Sequence, residues 1–224
     1  MYRLKIIAYP FAGGSSYSYA SLARGHDHEW ITLDPPGHGS NMRQPLMRSI
    51  TDMVTALLEP TLRASAGQPY VLFGHSMGAY IALVMLDRLA ELGASLPQRL
   101  VLSGAAAPHS RTLEHHADLP QKEFLEWVGN MGGISPEVLA EPQLMELFEP
   151  ILRADIEAAE AYVDGSERDH DVPVRILLGK NDRIAYADGK PWGDCFSHPP
   201  EVHVFTGGHF FLFDEVEKVN SLIC

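Results

Sequence analysis

The chain has 224 residues, a formal charge of −12, 46% apolar residues and 21% charged residues, which suits one globular domain with a full hydrophobic core. So acidic a surface repels phosphate backbones and anionic bilayers, so nucleic acid and membrane are not expected partners. No stretch reaches the roughly 18 consecutive apolar residues of a membrane span. The first residues run straight into an apolar strand, without the features of a secretory signal, so the expected location is the cytoplasm. Cys195 and Cys224 are too few for a disulfide framework and read as free thiols. The 11 histidines are scattered. The pairs His26/His28 and His115/His116 lie in no carboxylate–His pattern and read as solvated loop residues, so no metal is expected.

Short apolar runs alternate with helical patterns, which predicts a mostly parallel central sheet flanked by helices. Residues 4–9 form the first strand, ended by Pro10 and the loop Phe11-Ala12-Gly13-Gly14. Residues 30–33 form the second, closed by Asp34-Pro35-Pro36-Gly37-His38-Gly39. A helix over 48–64 carries apolar Ile50, Met53, Val54, Leu57 and Leu58 at helical spacing. Then come a strand at 70–73, a helix at 79–92 and a strand at 100–103. From about 113 to 165 the alternation stops, and helical patterns follow one another at 121–131, 136–140 and 143–164. Such a length is long for one crossover. It predicts a helical cap inserted late in the sheet rather than crossover helices packed on its flank. Strands at 174–178 and 202–205 and a helix at 215–222 complete a single domain over 1–224.

Gly74-His75-Ser76-Met77-Gly78 fits G-x-S-x-G between an apolar strand and a helix. That is the setting of a nucleophile elbow in the α/β-hydrolase fold, with Ser76 as nucleophile. A serine hydroxyl needs a base. His209, in the glycine-rich loop after the last strand, is the expected base. The fold's order of nucleophile, acid and base then asks for a carboxylate between them. Asp182 fits, since Ile176-Leu177-Leu178-Gly179-Lys180-Asn181-Asp182 reads as strand, turn and carboxylate. Asp188 and Asp194 lie further from the strand end. The stretch 104–107, where some relatives of the fold keep the acid, has no carboxylate. Two backbone N–H groups should form an oxyanion hole: Met77, and one from the loop after the first strand, with Ala12 chosen and Phe11 second. His38 precedes the nucleophile and reads as structural. Met131, Met145, Phe124, Trp127, Leu147 and Phe148 have helical spacing in the cap. Most read as core and a few as lining of an acyl pocket.

Four motifs resemble the type II thioesterases of polyketide and nonribosomal peptide assembly lines. They are Tyr9-Pro10-Phe11-Ala12-Gly13-Gly14, the G-H-S-M-G-A run at 74–79, Leu152-Arg153-Ala154-Asp155 with Glu160 and Tyr162, and Gly207-Gly208-His209-Phe210-Phe211-Leu212. The resemblance implies a stand-alone, monomeric enzyme of antibiotic or siderophore biosynthesis. It would hydrolyse acyl or aminoacyl thioesters from the phosphopantetheine arm of carrier proteins, with Ser76, Asp182 and His209 as its triad. No cofactor is implied beyond the arm the substrate carries. Phe11 stands where the family often has His, and Asp34-Pro35-Pro36-Gly37-His38 where it commonly has L-P-G-R. Both departures bear on substrate preference. A small-molecule carboxylesterase or lipase and a non-catalytic carrier-docking module are the alternatives. Carrier proteins are usually acidic, as this chain is, so docking calls for an apolar patch or a local basic cluster near Arg111 or Lys122.

Overall fold

The computed structural model describes residues 3–24, 28–110, 114–134, 136–139, 141–183 and 190–223. The chain runs β1 (Lys5–Tyr9), α1 (Ala20–Ala23), β2 (Glu29–Thr32), α2 (Ile50–Ser65), β3 (Tyr70–His75), α3 (Met77–Glu91) and β4 (Arg99–Ser103). Helices α4 (Gln121–Met131), α5 (Pro136–Leu139) and α6 (Pro142–Ala161) follow, then β5 (Val174–Gly179), β6 (Glu201–Phe205) and α7 (Val216–Ile223). Among the described residues the sheet has six strands in the order β2-β1-β3-β4-β5-β6, all parallel.

The expected strands and long helices are present, with shifts that have physical causes. Strand β3 continues past 73 because Gly74 and His75 still pair with Leu102 and Ser103 on β4. Helix α3 starts at Met77 rather than 79 because the elbow turns within a single residue. The four-residue α1 was not expected, since it is too short to show a helical period.

Both faces of the sheet are covered, and successive side chains alternate between them. Ile7, Tyr9, Leu72, Leu100, Leu102, Ile176 and Leu178 pack with residues of α2 and α3. Ile6, Ala8, Val71, Phe73, Val101 and Leu177 pack with Leu22 of α1 and with Val219 and Ile223 of α7. The two directions of winding meet between β1 and β3. The chain leaves β1 toward β2 on one side and returns to β3 on the other. Ligands of open α/β sheets bind at such a switch point, beyond the carboxyl ends of the strands.

Helices α4 to α6 sit between β4 and β5. They form a small core of their own, with Phe124, Val128, Met145, Leu152 and Ile156 buried together. The far end of α6 packs differently. Ala158 joins the main core, and the Tyr162 ring lies 5.4 Å from Tyr80 of α3. So α6 takes part in two packings, one half in the insertion's own core and the other against the main core. Among the described residues, no helix is long and apolar enough to cross a membrane.

The return from α6 to β5 is tied down by Arg168, which is 4% exposed. Its guanidinium takes Asp87 of α3 through Nε at 2.9 Å and also pairs with Asp164, while its backbone bridges to Cys195 and Ser197. Burial by itself would raise the Asp164 carboxyl, but hydrogen bonds from Ser166 and Arg168 hold it well below the usual carboxylate range. Removing the arginine leaves two carboxylates facing each other. Arg168→Ala should cost about 3 kcal/mol, a fall in Tm of roughly 6–12 °C for a domain of this size, as read by calorimetry.

Candidate active site

The serine is placed by close packing. The end of β1 lies beside the end of β3, with Tyr9 paired to Gly74. The first turn of α3 passes directly over both. A Cβ on Gly78 would sit 2.1 Å from the Tyr9 carbonyl oxygen, and one on Gly74 would sit 1.9 Å from the Gly78 oxygen. Glycine at both positions is therefore a requirement of contact. The chain reverses at Ser76, whose φ of 55° is the one positive value among the described non-glycine residues. Backbone of this kind costs on the order of 1–3 kcal/mol and persists where the surroundings impose it. Here the Ser76 amide donates to the Ser103 carbonyl at 2.8 Å, which holds the turn. Ser76 is left partly exposed at the N-terminal end of α3.

The other two triad candidates are brought together by their loops. After β5, the amides of Lys180 and Asn181 donate to the carbonyls of Phe205 and Gly207, each at 2.8 Å. The two loops touch at Gly179, where a Cβ would lie 2.3 Å from the Gly208 oxygen. Across this clamp His209 Nδ1 and Asp182 Oδ2 are 2.8 Å apart, with side chains only 5% and 0% exposed. A carboxylate accepts only, so Nδ1 carries the proton and Nε2 is the basic nitrogen. His209 and Ser76 line the same cavity. Asp194 lies elsewhere, 81% exposed and 3.7 Å from His109. Asp188 falls outside the described residues.

Two amides of the loop after β1 are taken up within the protein. The Gly14 N–H is used on Phe11 O at 2.8 Å and the Gly13 N–H on Asp155 Oδ2 at 2.7 Å. Among the described residues, the amides of Ala12 and Met77 have no hydrogen bond to protein. Met77 opens its helix and so has no carbonyl one turn back. Both residues line a cavity with Ser76.

Two lobes meet at Ser76. One, of about 530 Å³, is apolar and lined by Phe11, Val128, Met145, Phe148, Leu152 and Phe210, among others. The other, of about 440 Å³, is more polar and includes Tyr80, His116, Asn130, Glu160 and Arg183. Ala12, Trp127, Met131 and Ile156 border both. Of the cap residues singled out by spacing, Trp127, Met131, Met145 and Phe148 therefore reach the cavity. Phe124 is buried in the insertion's core and Leu147 is 53% exposed.

Several site residues were missed or underrated in the sequence. His75, inside the elbow motif, is fully buried, with its ring centroid 4.9 Å from that of His209. Burial, aided by His209, lowers it well below the ordinary imidazole range, so it stays neutral beside His209. His38 is buried with both nitrogens engaged, on Pro36 O at 3.0 Å and Asp155 Oδ2 at 2.8 Å. Burial would lower the His38 imidazole, but the hydrogen bond and charge of Asp155 outweigh it and raise it. His116 is not a solvated loop residue. Its Nδ1 lies 2.6 Å from Glu160 Oε1 and 3.5 Å from Glu114 Oε2, and its ring stacks on Trp127. The partner Glu160 comes from α6, 44 residues on, beyond the reach of a spacing rule. Cys195 is a buried free thiol, pushed up to about 11 chiefly by burial, and therefore poorly reactive. Arg111 and Cys224 fall outside the described residues, and Lys122 is an exposed residue of α4 that lies 3.9 Å from Glu126.

This open parallel sheet, with a serine on a strained elbow after β3 and a buried His–Asp pair across the strand ends, defines an α/β-hydrolase of the serine hydrolase class. The chain matches the thioesterase domain family over residues 4–223 and belongs to it. The probable cadicidin biosynthesis thioesterase of Streptomyces griseus is 28% identical over 98% of this chain, which spans 61% of that relative's length. ClbQ from the colibactin NRPS/PKS pathway is similar in structure, with a TM-score of 0.90 at 26% identity over 99% of this chain and 95% of that one. YbtT, a type II thioesterase from the yersiniabactin NRPS/PKS biosynthetic pathway, has a TM-score of 0.87 at 31% identity over 99% and 92%. The resemblance read from the four motifs thus extends over the whole fold.

The contact at Gly78 is backbone on backbone and has no flexible side chain to yield. Gly78→Ala should destabilise the protein by roughly 3–4 kcal/mol. It should also abolish labelling of Ser76 by a fluorophosphonate, measured by melting and by intact mass.

Proposed function

We propose that this chain is a stand-alone thioesterase that hydrolyses acyl or aminoacyl thioesters from the phosphopantetheine arm of carrier proteins, clearing stalled units from polyketide or nonribosomal peptide synthases. The observation that carries this reading is the 2.8 Å His209–Asp182 pair, whose His209 lines the same cavity as Ser76. Family membership and the NRPS/PKS origin of ClbQ and YbtT support the substrate class.

In this reading His209 Nε2 takes the proton of Ser76 Oγ as the oxygen attacks the thioester carbonyl. The amides of Met77 and Ala12 hold the oxyanion, each worth on the order of 3 kcal/mol in the transition state. The carbon–sulfur bond breaks and the pantetheine thiol leaves with the proton from His209. Water, deprotonated by the same nitrogen, then releases the acid from Ser76. Asp182 keeps the proton on Nδ1 and stabilises the imidazolium without taking that proton itself. The apolar lobe takes the acyl chain, with helices α4 to α6 as its lid. The polar lobe takes the amide- and hydroxyl-bearing arm. Lobes of this size are ordinary for small-ligand sites.

Ser76→Ala should form no acyl-enzyme detectable by intact mass spectrometry, and Asp182→Asn should lower kcat about 10⁴-fold. A marked preference for simple esters over a panel of acyl and aminoacyl carrier proteins would overturn the thioesterase reading in favour of an esterase. Failure of Ser76 to label at all would leave only a docking role. Filling the apolar lobe from α5 with Val138→Trp should lower kcat/KM for an octanoyl thioester by about tenfold or more. The acetyl thioester should change little, as read by thiol release.

A further inference from the structure

We propose that His116 is a specificity-determining residue for the pantetheine arm, with its Nε2 accepting a hydrogen bond from an amide N–H of the arm. This rests on the reading that the more polar lobe takes the arm. His116 opens a short 3-10 turn, His116–Asp118, that α6 holds in place. Arg153 Nη1 donates to the carbonyls of Ala117 and Leu119 at 2.5 and 2.9 Å. Glu160 Oε1 accepts from the His116 backbone amide at 3.3 Å and lies 2.6 Å from the ring Nδ1. The ring also stacks on Trp127 of α4, with centroids 4.2 Å apart and planes 17° from parallel. The turn, the plane of the ring and one of its edges are thus all fixed.

One nitrogen is left over. A carboxylate accepts only, so Glu160 keeps the proton on Nδ1, and Nε2 of the neutral ring is locked as an acceptor. Among the described residues Nε2 makes no hydrogen bond to protein, and the polar contacts of the ring all run through Nδ1. His116 and Glu160 line the more polar lobe and not the apolar one, while Trp127 borders both. The imidazole therefore stands on the polar side of the tryptophan, in the lobe that also reaches Ser76. The groups around it narrow the chemistry of its partner. Glu160 Oε1 is engaged by His116, Glu114 Oε2 lies 3.5 Å from the same Nδ1, and Arg183 lines the lobe as well. With charges of both signs present, the lobe favours no ionic group, and a fixed acceptor suits a neutral N–H. The arm carries such groups in its amides, and an acyl chain carries none. Pinning the turn to α6 needs Nδ1 alone, so the two roles of the ring can be separated by substitution.

The test uses the whole protein and two substrates, octanoyl pantetheine and ethyl thiooctanoate, at about pH 8, above the ordinary imidazole range. His116→Asn keeps an N–H donor in the place of Nδ1, and His116→Phe keeps the stack on Trp127. Neither has an acceptor in the place of Nε2. Both should lose about 3- to 10-fold in kcat/KM on the pantetheine thioester, the ordinary worth of one hydrogen bond. The loss should come through KM with kcat unchanged, and the ethyl thioester should stay within about twofold. A merely structural lesion would lower both substrates together, and loss of the Glu160 contact or of the stack would show in one variant and spare the other. A wild-type preference kept by either variant overturns the inference, as does a fall in kcat on the pantetheine thioester with KM unchanged. Should neither variant fold, the wild-type ring decides by NMR. Saturation with octyl pantetheine thioether, which cannot be hydrolysed, should move the His116 Nε2 signal, and ethyl octyl thioether should not. An Nε2 signal that answers both alike, or neither, overturns the inference. If wild-type protein shows no preference for the pantetheine thioester, the reading of the lobe as the site of the arm falls first and this inference with it.

Discussion

The site depends on one steric fact, the passage of the first turn of α3 across the ends of β1 and β3 with backbone touching backbone. That approach leaves no room for side chains at 74 and 78. It forces the reversal into Ser76, and the strain is held by the amide bond to Ser103. Three features follow without further design. The hydroxyl stands clear of the sheet, the Met77 amide is left without a helical partner, and both lie at the switch point where the loop carrying Ala12 leaves β1. A looser packing of α3 would relax the backbone and scatter all three.

Among the described residues two buried histidine–aspartate pairs have the same length, 2.8 Å each, and different surroundings. His209 uses one nitrogen on Asp182, and its ring faces the cavity. His38 has both nitrogens committed and lies between a backbone carbonyl and Asp155. The difference is one of remaining valence, not of distance or burial. His75 adds a third buried imidazole, kept neutral by desolvation beneath His209. A charge at that position would oppose an imidazolium at His209.

Much of this was legible locally. Strands with both faces buried read as continuous apolar runs, and the ends of the long helices moved by only a few residues. The elbow could be read because its requirement, two small residues flanking a serine between strand and helix, is met within five positions. Asp182 and His209 could be placed because each follows a strand end within a few residues. Failures came where partners are distant in the chain. His116 looked solvated because Glu160 is 44 residues away. The partner of His38 was not foreseen, because Asp155, 117 residues on, was known only as part of a motif. The side chains of α4 and α6 could not be sorted into core and cavity wall, since both have the same helical period.

The sequence by itself determined the order of the strands and long helices, the elbow, the candidate hydroxyl, carboxyl and imidazole, and the interruption by α4 to α6. These are set by local sterics and by periodicities that repeat within a few residues. Only the tertiary structure decided that Asp155 of α6 reaches the loop after β1, that Trp127 and Met131 stand between an apolar lobe and a polar one, and that His75 lies beneath His209. Contacts of this kind depend on how whole elements pack across the strand ends, and no short stretch of chain encodes them.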